Sequence, residues 1–107
     1  MSKIAIKYEN TEYNLEYSRQ SVKTMESQGF VLDEITTKPV TMIPMLFQGA
    51  FIKNHKGIKR KLIDEIFDEI SDKTGLMQAL MELYAETLST LVEDREEQGN
   101  VTWAVVK

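Results

Sequence analysis

The sequence predicts an α+β fold that is mainly helical, with an N-terminal β-hairpin followed by about four helices and an apolar C-terminal tail. Three observations predict it. Apolar residues alternate at a period of two near the start, they recur at helical spacing through the middle, and an apolar, β-prone octamer follows a charged run at the end. At 107 residues the chain fits one domain with one modest core. The expected division is a single mostly helical domain at 1–98 and an apolar tail at 99–107.

In "KIAIKYENTEYNLEYS", Ile4, Ile6 and Tyr8 fall on one face of a strand, and Tyr13, Leu15 and Tyr17 repeat the period after a polar turn at 9–12. Two strands alone are marginal in water, so their apolar face must lie on helices or pair with another edge. Ser18 offers an N-cap for a short helix in which Val22 and Met25 share a face, and Gly29 sits where that helix stops. The stretch "VLDEITTKP" reads as an extended connection, because Pro39 disfavours helical geometry at Lys38 and Thr36 and Thr37 favour strand or turn.

The least polar stretch is "TMIPMLFQGAFIKNH" at 41–55. Thr41 is its expected cap and Pro44 falls in the first turn, where a missing amide hydrogen costs nothing. Ile43, Leu46, Phe47 and Ala50 form one stripe, with Met42, Met45, Gly49 and Ile52 flanking or opposite. A helix apolar nearly all round is central in its own fold or shared with a partner. It is too short to span a bilayer, which needs about 20 apolar residues.

"IKRKLIDEIFDEISDK" is an amphipathic helix with Leu62, Ile63, Ile66, Phe67 and Ile70 inward. "TGLMQALMELYAETLSTLVED" is another, carrying Leu76, Leu80, Leu83 or Tyr84, Leu88 and Leu91, with Gly75 between the two. An antiparallel helical pair is expected, its second member fraying after Val92, where acidic residues meet the negative end of the helix dipole. The closing "NVTWAVVK" is an apolar terminus of a kind seldom left in water.

Composition excludes several classes of function. Thirteen Lys and Arg against 17 Asp and Glu give a net charge of -4, which repels nucleic acid and anionic membrane. There is no cysteine, so thiolate chemistry is absent, and the first residues lack the order of a signal peptide, so a cytoplasmic location is expected. Asp64, Glu65, Asp68, Glu69 and Asp72 lie opposite an apolar stripe without a companion histidine, the pattern of a solvated helix face. His55 is the only histidine, so one chain holds no His-based triad or multi-His metal site. No catalytic residue, metal site, cofactor or small-molecule substrate is expected. Lys53, Lys56, Lys59, Arg60 and Lys61 cluster, and a small DNA-binding regulator using 53–61 is the alternative to a protein-binding role.

The expected partner-binding residues are Met42, Met45, Met77 and Met81, because methionine suits changing contacts, together with Val101, Trp103, Val105 and Val106 of the tail. The segments "YNLEYSRQSVKTMESQGF", "PVTMIPMLFQGAF", "LMELYAETLSTLVED" and "GNVTWAVV" resemble the small tail assembly chaperones of long-tailed phages and prophages of Gram-positive bacteria. That resemblance implies a non-enzymatic protein that coats the helical tape-measure protein before the tail tube forms, and that self-associates as a ring or spiral. It brings no catalytic residues.

Overall fold

β1 (Ile4–Tyr8) and β2 (Thr11–Leu15) pair antiparallel, with Ile6 opposite Tyr13 and Ile4 opposite Leu15. The turn is tighter than expected. Glu9 and Asn10 both have positive φ, 48° and 68°, the geometry of a two-residue hairpin turn whose twist matches that of the strands. These coordinates come from a computed structural model, which describes residues 3–90, 101 and 103–106. The fold is α+β and mainly helical, a hairpin followed by four helices. Leu15 is fully buried, and Ile4, Ile6, Tyr8 and Tyr13 pack half-buried against the core.

Helix α1 (Arg19–Ser27) opens on Ser18 as expected. The Ser18 hydroxyl accepts from the Ser21 N–H at 3.1 Å, and the Ser21 hydroxyl accepts from the Ser18 N–H at 2.8 Å. This reciprocal box satisfies two amide groups that the first turn would leave open. The helix ends through Gly29, whose φ of 99° only glycine adopts readily. The Phe30 N–H donates to the Met25 carbonyl and the Gly29 N–H to the Glu26 carbonyl, each at 3.0 Å, which closes the last turn. Phe30 is thereby delivered into the core, edge-on to Tyr84 with ring centroids 5.1 Å apart.

Residues 32–37 are not extended, although Val31 before them is. A short 3₁₀ turn at Leu32–Glu34 is followed by further turns. Pro39 restricts only its immediate neighbour Lys38, which has a φ of -132°, so the residues before it are free to coil. Helix α2 (Pro39–Gly49) begins at Pro39 rather than after Thr41, with proline at the first helical position. Pro44 consequently lies inside the helix. There it has no amide hydrogen for the carbonyl of Val40.

Every other helix packs on α2. Leu46, Phe47, Ala50 and Phe51 are at most 1% exposed, and Met42, expected on a flank, is 4% exposed. Gly49 permits the close approach of α1, since a Cβ there would run into the buried Met25 side chain. Helix α3 (Arg60–Asp68) buries Ile63 and Ile66 and sets Phe67 against Phe47 at 5.1 Å. It packs on α2 and does not form the close pair with α4 that periodicity predicted. Helix α4 (Lys73–Ser89) buries Met77, Leu80, Leu83, Tyr84 and Thr87. Gly75 belongs to its first turn, not to the link, because Asp72 is the cap and its carboxylate accepts the Gly75 N–H at 3.0 Å. No helix among the described residues is long and apolar enough to cross a membrane. The fraying expected after Val92 and the boundary expected at 98–99 lie outside the described residues.

A candidate binding groove between two helices

The N-terminal halves of α2 and α4 enclose an open apolar groove of about 820 Å³. Pro39, Val40, Ile43 and Pro44 form one wall, and Thr74, Met77, Gln78 and Met81 form the other. Each set shares one face of its helix, since residues three and four apart are neighbours on a helical surface. Phe67 of α3 and Ile35 of the preceding turn complete the lining.

The groove offers few polar atoms and one charge. That charge, Lys73, is engaged: its ammonium donates to the Ile70 carbonyl at 3.0 Å and the Asp68 carbonyl at 3.3 Å, and lies 5.6 Å from the centroid of the Phe67 ring. Val40 is 87% exposed on the rim. Because Pro44 supplies no N–H, the Val40 carbonyl lacks its usual helical donor. The site is suited to holding an apolar side-chain stripe, with the exposed Thr74 and Gln78 side chains as hydrogen-bonding groups at the edge.

The expected contact residues separate in three dimensions. Met77 and Met81 line the groove. Met42 does not: its side chain fills the core, with its sulfur 3.5 Å from the Val31 N–H. Met45 is half-buried away from the groove. Val101, Trp103, Val105 and Val106 are 89, 85, 73 and 92% exposed, so the terminus that composition would bury stands open in the folded chain. Val40, Ile43, Pro44 and Phe67 were not anticipated as lining. For the first three the signal is the spacing of 39, 40, 43 and 44, which is hidden once the helix is started at Thr41; Phe67 has no such signal.

The histidine and the charged clusters have structural employment. The His55 Nε2 accepts the Asn14 N–H at 3.0 Å. Its ring stands edge-on to Tyr13 with centroids 5.2 Å apart, so His55 fastens β2 to the end of the α2 segment. Lys53 is paired with Glu16 at 3.1 Å and Arg60 donates to the Gln48 side chain at 2.9 Å, which commits two of the five basic groups internally. Hydrogen bonds from Asn54, then from Lys53, hold the Glu16 carboxyl below the ordinary glutamate value. Burial raises the Tyr17 and Tyr84 phenols, as removal from water does for any acid. Asp64, Glu65, Asp68, Glu69 and Asp72 are exposed. No cluster of three or more potential metal ligands occurs among the described residues.

Fold and groove together define a small, mainly helical α+β domain with an apolar cleft between two helices. Over residues 1–106 the sequence matches the family described as a domain of unknown function, DUF5055, and the chain belongs to that family. Neither a curated protein nor a solved structure matches it.

Proposed function

We propose that this protein is a phage tail assembly chaperone that binds and shields the tape-measure protein by apolar coverage, without catalysis and without a cofactor. The observation that carries the reading is the groove of about 820 Å³ walled by Met77, Met81, Ile43 and Pro44. An amphipathic client helix would lay apolar residues spaced three and four apart into such a cleft. Unbranched methionines let one cleft accept the varied side chains of a long helical client. In this reading the protein works as a homo-oligomer in the cytoplasm of the bacterial host, away from nucleic acid and membrane.

The test is co-expression with a phage tape-measure protein, followed by copurification of the pair. Val40→Asp places a charge on the groove rim at an exposed position and should lower capture at least about tenfold, since an unpaired charge resists desolvation. Capture unaffected by Val40→Asp and Met81→Lys would remove the groove from the reading. A DNA regulator using the basic segment Lys53 to Lys61 would instead bind duplex DNA and lose it steeply with added salt.

A further inference from the structure

Among the described residues, the large hydrophobic side chains left exposed are Val31, Val40 and the four of the C-terminal segment, Val101, Trp103, Val105 and Val106. One chain thus carries an open apolar groove with Val40 on its rim and, separately, an open apolar peptide. We infer that the C-terminal segment of one copy occupies the α2–α4 groove of a second copy, with Trp103 as its anchor.

Chemical complementarity supports the pairing. Residues 99–106 contain no charged side chain, and the groove's only charge, Lys73, is already engaged with carbonyls of the α3–α4 link. Joining the two surfaces therefore brings no charged side chain of 99–106 into the groove and leaves Lys73 its two carbonyl partners. A buried indole needs an acceptor for its N–H. The exposed side chains of Thr74 and Gln78 in the groove lining supply acceptors.

Reach does not decide between the chain's own groove and a neighbour's. Residues 91–100 can span at most about 35 Å, while Met81 lies about 12 Å before the end of α4 at Ser89. The folded chain nevertheless leaves both surfaces open. Mutual satisfaction then comes from another copy, in a head-to-tail contact that propagates into a ring or an open spiral. The segment and a client helix would compete for one cleft. The inference uses the groove invoked above but needs no client, so its test is made on the purified protein alone.

Trp103 is the only tryptophan, and its emission reports its surroundings directly. In the full-length protein, emission should move to shorter wavelength as concentration rises, in step with a sedimentation mass above the 12.3 kDa of one chain. Trp103→Ala, which keeps the groove, and Val40→Asp, which keeps the segment, should each stay monomeric over that range. Mixed together they should form one-to-one complexes, with the blue shift restored. Val40→Asp assembling like the parent, a parent that is monomeric with solvent-exposed emission throughout, or a blue shift independent of concentration in a monomer would each overturn the inference. The last would place the segment on its own chain.

Discussion

The Tyr17 hydroxyl donates to the main-chain carbonyl of Leu46 at 2.5 Å, and both residues are almost wholly buried. This bond is one of a row along the end of the α2 segment. The Glu16 N–H donates to the Ala50 carbonyl at 3.1 Å, and the Asn54 side chain donates to the Asn14 carbonyl at 3.0 Å. The last carbonyls of a helix lack intrahelical donors. Here the link between β2 and α1 supplies some, and the hairpin is thereby docked. Tyr17→Phe keeps the ring but strips the Leu46 carbonyl of its side-chain donor. A loss of about 1–3 kcal/mol in urea unfolding is expected.

Glu16 makes that dock sensitive to acid. Its folded carboxyl titrates below the ordinary value of 4.5, chiefly through the Asn54 hydrogen bond and then through Lys53. A depressed acid contributes stability that is fully present above its unfolded value and lost as pH falls through its folded one. The parent should therefore lose stability below about pH 4.5 faster than Glu16→Gln, and their unfolding curves should converge at low pH. Parallel curves from pH 7 to 3 would show that the pair contributes nothing.

Gly49 presents opposed effects. Alanine in a helix is favoured over glycine by about 1 kcal/mol. At this site, however, the added Cβ meets Met25, which is 1% exposed and has little room to move. Overpacking of this kind costs about 1–3 kcal/mol, so Gly49→Ala should destabilise. Combined with Met25→Ala, the two changes should cost less than their sum, and a double-mutant cycle measures the difference.

Removal of residues 101–107 tests whether the exposed side chains of the segment contribute to the fold. Val101, Trp103, Val105 and Val106 are each more than 70% exposed, so the thermal midpoint of a dilute sample should stay within about 2 °C of the parent. A fall of several degrees would mean that the segment packs on its own domain.

The sequence by itself determined those elements whose polarity contrasts along one period. Alternation in Ile4, Ile6 and Tyr8 located β1, Ser18 and Gly29 bounded α1, and the acidic face of α3 oriented Ile63 and Ile66 inward. Where contrast is missing, periodicity carries no phase. Helix α2 is apolar on nearly every side, so its pattern could not say that Met42 is core while Val40 stands on a groove rim. Nor could it show that the helix begins at Pro39, since both proline positions suit a first turn. Tertiary structure decided these points because a helix packed on by all the others is oriented by its neighbours' shapes, among them the gap at Gly49 that admits Met25. The groove is equally a tertiary fact: faces of α2 and α4 that are remote in sequence become a site only when the two helices lie side by side.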